Sequence, residues 1–211
     1  MKLLVLGGTG ATGRQLVAQA LERGHDVAVL VRDPGRLTFQ DPRLHVHTGD
    51  ATDAVAVEAA LDGAAAVLSA LGTRDLRALF STRLISHSTA AVVTAMQRRG
   101  VRRIVMLSAL GAGASVPVAP VPLRLAFRTV FRAVGRDKAA GETLLRSSGL
   151  DWTTVHPPSL SDAPPAGGWN AGPDLRLRGV PKLSRADVAA FMLDQAVDPR
   201  FVGQAVVLGP R

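Results

Sequence analysis

Gly7, Gly8, Thr9, Gly10, Ala11, Thr12 and Gly13 stand between the apolar run that follows Lys2 and a pattern carrying Leu16, Val17, Ala20 and Leu21 at helical spacing. Glycines so spaced let the backbone turn sharply and let a pyrophosphate approach a helix N-terminus, where N–H groups and the dipole attract anions. The segment satisfies both G-x-G-x-x-G (Gly8, Gly10, Gly13) and G-x-x-G-x-x-G (Gly7, Gly10, Gly13). A strand before it and a helix after it are the context in which this spacing binds dinucleotides. Gly7, Thr9, Gly10, Ala11, Thr12 and Gly13 are therefore the expected phosphate cradle.

Nineteen residues after Gly13, where an NAD enzyme places an acid against the adenosine 2′-hydroxyl, stands Arg32, followed by Arg36. A planar guanidinium binds phosphate oxygens in pairs, so the position predicts a 2′-phosphate and hence NADP(H). Asp33 argues the other way unless it caps the following turn or pairs with Arg36. After the third strand, Asp50 is placed either to accept from the adenine amino group or to cap the next helix, a role open also to Thr52 and Asp53. After the fourth, Leu71, Gly72 and Thr73 run beside the ribose and Arg74 points into the mouth of the crevice.

Ser108 closes the fifth strand, where a hydroxyl can donate to a substrate carbonyl or to the nicotinamide amide; its other reading is a local backbone bond. Lys138 either contacts ribose hydroxyls or forms an ion pair with Asp137 or Glu142. His45 and His47 share one side of a strand, but no third ligand is near them in sequence, so no metal is expected.

These residues need a scaffold that brings strand ends together. Apolar, β-branched runs recur at Lys2–Leu6, Asp26–Val31, Leu44–His47, Ala65–Ser69, Arg103–Leu107, Trp152–Val155 and Ala205–Leu208. Helical patterns lie between them at Ala11–Arg23, Asp53–Leu61, Thr82–Arg99, Leu123–Ser147 and Arg185–Ala196. This alternation predicts an α/β chain with a doubly wound parallel sheet of about seven strands, order 3-2-1-4-5-6-7, and a ligand crevice at the strands' carboxyl ends. The glycine- and proline-rich stretch Ser161–Lys182 is expected to be irregular and to lie over that crevice, within a small substrate-side segment at about 158–183.

The segments GGTGATG, VLVRDPGRL, LGTRDL, VMLSALGAG, DKAAGETLLRSSGLDWTTVHPPSLSD and SRADVAAFMLDQ together resemble the atypical short-chain dehydrogenases that include biliverdin IXβ reductase, also a flavin reductase, and NmrA-like NAD(P)H-binding proteins. The resemblance spans nearly the whole chain, 1–211. It implies a single-domain Rossmann fold, NADP preference through Arg32 and Arg36, and adenine and ribose contacts at Asp50, Ala51, Leu71, Gly72 and Thr73. It also implies that Ser108 lies beside the nicotinamide, with Pro157, Pro158 and Ser159 as the opposite wall. Arg74, Ser159 and Trp169 fall at the substrate mouth. Two positions depart from the pattern. With Lys138 as the lysine of Y-x-x-x-K, the tyrosine position is Val134, and Ser159 stands where the biliverdin and flavin reductase pattern has a histidine.

The composition narrows the chemistry further. The 211 residues include no cysteine, which excludes disulfides and thiolate chemistry, and no tyrosine, which removes the usual phenol donor. The formal charge of +8 comes from 22 arginines and three lysines against 17 acids. The arginines are spread and aromatics make up 4% of the chain, so a small anionic ligand is favoured over nucleic acid. Arg124, Arg128, Arg132 and Arg136 form a basic face on the helix expected over 123–136, either solvated or open to a protein partner. The apolar run between Lys2 and Gly7 is too short for a signal peptide or an anchor, and Gly111, Gly113, Pro117, Pro120 and Pro122 interrupt the uncharged stretch Ile104–Leu123. A cytoplasmic location without membrane contact is expected.

The expected activity is NADPH-dependent hydride transfer to a flat conjugated acceptor such as a flavin, quinone or enone, because an acceptor that spreads its own charge needs little acid catalysis. The alternatives are a redox sensor that binds cofactor without turnover and an epimerase-like, non-redox use of it.

Overall fold

The computed structural model describes residues 1–72 and 80–211. The first five apolar runs form parallel strands β1 (Lys2–Leu6), β2 (Asp26–Val31), β3 (Leu44–Thr48), β4 (Ala66–Ser69) and β5 (Arg103–Leu107). They are followed by β6 (Asp151–His156), β7 (Ser159–Ser161), β8 (Trp169–Gly172), β9 (Lys182–Ser184) and β10 (Gln204–Pro210). The main sheet has the order β3-β2-β1-β4-β5-β6-β10-β8. Its first seven places are the seven expected strands, with β10 in the seventh.

The eighth strand corrects the expectation that Ser161–Lys182 is irregular. β8 runs antiparallel along β10, with Trp169 opposite Pro210 and Gly172 opposite Val207, while β7 and β9 form a separate parallel pair. Strands of three or four residues between glycines and prolines are too short to display a period of two.

Helices cover both faces. α1 (Ala11–Glu22) and α6 (Arg185–Val197) pack on one; α2 (Ala54–Ala60), α3 (Leu84–Arg99) and α5 (Arg132–Arg146) pack on the other. Side chains alternate along each strand to meet them. Leu3, Val5, Val27 and Val29 join Leu16, Val17, Phe191 and Met192, whereas Leu4, Leu6, Ala28 and Leu30 join Val57, Val92 and Met96. Full burial of such a side chain contributes about 1.5–3 kcal/mol.

The single helix expected over Leu123–Ser147 is two helices, α4 (Val121–Arg128) and α5. At Thr129 the backbone leaves helical geometry (φ −116°, ψ −91°) and the hydroxyl bonds back to the Leu125 carbonyl at 2.8 Å. The turn brings the Phe127 and Phe131 rings to 5.7 Å, and Gly135 leaves room for Phe127, whose Cδ1 would lie 3.1 Å from a Cβ there. The apolar period continues through the bend, which is why the sequence reads as one helix.

The basic cluster at residues 98–103 divides by environment. Arg98 and Arg99 pair with Glu58 and Arg102 with Asp151, at 3.4, 3.5 and 3.1 Å. Arg103 is buried. It donates to the carbonyls of Gln195 (2.8 and 2.9 Å) and Asp151 (2.7 Å) and to Thr153 Oγ1 (2.8 Å), joining β5, β6 and α6. Burial pushes its pKa down to about 10, which leaves it a cation at neutral pH. Among the described residues, no helix is long and apolar enough to cross a membrane.

Candidate functional site

The glycine loop leaves the carboxyl end of β1 and enters α1 through Gly10, the N-cap. No side chain caps this helix and no acid occupies its first turn, so its leading N–H groups and positive dipole end face outward for an anion. Two glycines are indispensable to the turn. Gly7 has φ +81°, and a Cβ there would stand 2.7 Å from the carbonyl oxygen of Ala70 in the loop after β4. A Cβ on Gly13 would stand 2.0 Å from the Gly7 carbonyl oxygen. Gly8 would meet only side chains, Val29 at 3.2 Å and Val17 at 3.5 Å. The two spacings legible in the sequence are thereby separated, and the one running through Gly7, Gly10 and Gly13 carries the geometry.

Beyond β2, Arg32 and Arg36 are exposed. Asp33 caps the short turn Pro34–Arg36 by accepting from Gly35 N–H at 3.1 Å. Arg14, which directly follows the glycine segment and carries no signal of its own in the sequence, donates to the Arg36 carbonyl at 3.1 Å and adds a third cation to this corner. Asp50 closes a turn on Thr52 N–H (2.9 Å) and Oγ1 (2.8 Å), while Asp53 caps α2 through Val55 N–H at 2.9 Å. The Thr52 bonds, with the Arg32 charge nearby, hold the Asp50 carboxyl below its usual range. Ala51 is buried, Leu71 half-buried and Gly72 exposed. Thr73 and Arg74 lie outside the described residues.

At the carboxyl ends of β5 and β6 a buried polar cluster forms around Glu142, a residue whose spacing in the sequence suggests only a partner for Lys138. Ser108 Oγ donates to Glu142 Oε1 at 2.6 Å, and Ala114 N–H donates to Oε2 at 2.8 Å. The loop comes this close because Gly113 has no Cβ; one would lie 2.0 Å from Oε2. A serine has a single proton to donate. Ser108 is therefore not a donor to a substrate carbonyl in this arrangement, and what it offers the crevice is lone pairs.

The ion pair considered for Lys138 is absent as well. Asp137 caps α3 from outside that helix, accepting from Ile85 N–H, Ser86 N–H and Ser86 Oγ at 2.9, 2.9 and 2.7 Å. Glu142 is engaged as described. Among the described residues no carboxylate lies within 4 Å of the Lys138 ammonium, and burial lowers its pKa against the opposing pull of Glu142 and Asp137.

The post-β6 wall is tied to the same loop through Leu110 N–H, which donates to the Pro157 carbonyl at 2.9 Å. Pro157 and Pro158 are buried and Ser159 is exposed at the start of β7. Trp169 is a correction. Its ring packs edge-on against Phe191 at 5.8 Å and lines a separate cavity of about 550 Å³ with Arg23, His25 and Asp194. Those partners belong to the α1–α6 layer, whereas the Ser108 cluster is built on α5. A tryptophan in a short strand looks like a mouth residue until that strand is seen to extend the sheet.

Residues 7–199 match the family described as NAD(P)H-binding. The chain belongs to this NAD(P)H-binding family. It is 30% identical over 205 residues, 97% of this chain and 61% of the other, to the (4-alkanoyl-5-oxo-2,5-dihydrofuran-3-yl)methyl phosphate reductase of Streptomyces griseus. The solved structure of ChuY, an anaerobilin reductase from Escherichia coli O157:H7, superposes with a TM-score of 0.81 at 25% identity, covering 99% of this chain and 96% of that one. A Veillonella parvula short-chain dehydrogenase/reductase solved with NADP gives 0.79 at 20% identity, covering 99% and 94%. The chain spans less than two thirds of the length of the curated relatives it matches first.

The residues of this NAD(P)H-binding chain fit a dinucleotide: an uncapped helix N-terminus, a loop closed by Gly7 and Gly13, and three cations at the far end of β2. Below the crevice floor lies His156, fully buried. The Ala109 carbonyl, 3.2 Å away, can only accept, so Nδ1 carries the proton and Nε2 accepts from the Thr154 hydroxyl at 3.0 Å. Burial lowers the His156 pKa below its ordinary 6.5, although Glu142 Oε1 at 3.7 Å opposes the shift. Between that lowered value and 6.5 the unfolded chain binds the extra proton. Stability is therefore complete above about pH 6.5 and declines as pH falls toward the folded-state pKa, by at most about 1.4 kcal/mol per pH unit. Urea unfolding at pH 5 and 7.5 is expected to show this loss, and His156→Asn to flatten it. An unchanged slope in the variant would assign the acid sensitivity elsewhere.

Proposed function

We propose that the protein is an NADPH-dependent reductase acting on a flat conjugated acceptor of the flavin, quinone or enone type. The observation that carries the reading is the corner where Arg14, Arg32 and Arg36 gather beside the glycine cradle while Asp33, the nearby carboxylate, accepts from the Gly35 N–H. When bound, the cofactor supplies hydride. The rest falls to the chain. Arg32 and Arg36 hold the 2′-phosphate with paired N–H donors. Ser108, its proton held by Glu142, accepts from a bound carboxamide and fixes the orientation of the nicotinamide ring. Lys138, with a pKa lowered by burial, carries the proton that follows the hydride, in the place of the missing tyrosine. An acceptor whose conjugation spreads its own negative charge needs only modest help from this donor, and positioning in the crevice carries most of the rate. The reductase names of the Streptomyces and Escherichia coli relatives support this class of activity.

The test follows NADPH absorbance with riboflavin, FMN and a series of quinones, alongside titrations of both cofactors into Arg32→Ala. Turnover with at least one acceptor is expected. NADPH affinity should fall by about 1.5–3 kcal/mol, the range for hydrogen bonds to charged groups, with NADH nearly unchanged. Tight cofactor binding with no turnover on any acceptor would overturn the reductase reading, and equal loss for both cofactors would overturn the NADP assignment.

A further inference from the structure

From Leu76 to Arg136 the sequence has ten arginines and not one Asp or Glu. Four of them, Arg124, Arg128, Arg132 and Arg136, recur at four-residue intervals. On a straight helix they would form a solvated stripe or a flat partner surface. The bend at Thr129–Phe131 instead folds α4 against α5, and all four line one cavity of about 460 Å³. Phe127, Val116, Ala112 and Ala139 supply apolar walls, and the Gly111–Gly113 loop closes one side. Arg23, Arg43, Arg102 and Arg185 all pair with carboxylates; among the described residues none of Arg124, Arg128, Arg132 and Arg136 does. Four like charges around one cavity repel, and the arrangement is relieved when an anion enters.

The cavity adjoins the crevice through a shared wall. Gly113, which lines it, is the residue whose missing Cβ lets the loop close on Glu142, and Glu142 in turn holds Ser108. We infer that this cavity receives the acid group of the hydride acceptor, a conjugated molecule carrying carboxylate or phosphate, with Phe127 against its apolar body. The volume suits a small ligand. Guanidinium forks bind either acid in pairs. This inference rests on the reductase reading and adds to it the charge of the substrate.

Riboflavin and FMN separate the two, because they share one ring system and differ by a phosphate. With the cofactor site filled by NADP⁺, so that Arg32 and Arg36 are engaged, flavin fluorescence quenching reports each dissociation constant. FMN is expected to bind at least tenfold more tightly than riboflavin, and the ratio to fall below twofold in Arg124→Gln/Arg128→Gln. Should the double variant fold poorly, the exposed Arg128→Gln alone should reduce the ratio by threefold or more. An anthraquinone carboxylate against its neutral amide repeats the test for carboxylate; preference for the acid in either pair supports the site. Equal affinity within both pairs, or a ratio that survives the substitutions, overturns it. Reduction of both flavins at equal affinity would leave the reductase standing and remove the anion site. FMN preference without turnover would do the reverse.

Discussion

Gly13→Ala is expected to weaken NADPH binding by about 30- to 100-fold and to lower the melting temperature at the same time. The added Cβ would lie 2.0 Å from the Gly7 carbonyl oxygen, 2.7 Å from its carbon and 2.9 Å from Gly8 Cα, all of them backbone. No side-chain rotation relieves such a clash. Either α1 moves off the loop or the loop opens, at a cost of about 1–3 kcal/mol for overpacking. The same movement withdraws the α1 N–H groups from a pyrophosphate, and about 2.0–2.7 kcal/mol lost there corresponds to the stated range of affinity. Gly8→Ala should be mild by comparison, because its Cβ meets only Val29 and Val17 side chains. Calorimetric titration and thermal unfolding of both variants provide the check. Equal affinities for the two would mean that the loop does not bind the cofactor through the closure described.

Lys138→Met is expected to lower kcat by about tenfold, short of the roughly 10²- to 10⁴-fold usual for a general acid because a conjugated acceptor spreads its own charge, while the dissociation constant of NADPH changes less than threefold. The expectation follows from what the neighbouring acids do. Asp137 is bonded to the α3 N-terminus and Glu142 to Ser108 and Ala114, so neither depends on the ammonium for its hydrogen bonds. Burial favours the neutral amine and lowers the pKa from 10.5. Wild-type kcat should accordingly fall as pH rises through that lowered value, since a deprotonated lysine has no proton to give, and the variant should lose this limb of the profile. A variant whose NADPH affinity collapses while kcat at saturation is kept would make Lys138 a ribose anchor instead. That outcome withdraws it as the proton donor.

The order of the first seven strands was legible because parallel strands buried on both faces leave unbroken apolar runs, and the helices between them show a 3.6-residue period. The glycine segment was legible for a related reason: its constraint is local, and local backbone geometry is written in residue type. Local reading failed where several partners of like chemistry were open to one side chain. Whether Asp33 caps a turn or pairs with Arg36, and whether Asp50 or Asp53 caps α2, are choices among neighbours that only coordinates separate. The bend at Thr129 left no sign because the apolar period runs through it, and β8 had too few residues to show one.

By itself, the sequence determined an α/β chain with a dinucleotide loop, a cationic corner after β2, and no tyrosine for the customary proton transfer. The tertiary structure alone decided where each proton and charge is held. Ser108 gives its hydrogen to a carboxylate 34 residues away, and Asp137 caps a helix 52 residues before it. Four arginines converge because of one turn in a helix. The physical reason is that a hydrogen bond or an ion pair depends on a few ångströms of separation, and those are set by how α3, α5 and the loop after β5 pack together. A spacing along the chain records the period of an element and carries no information about which other element lies against it.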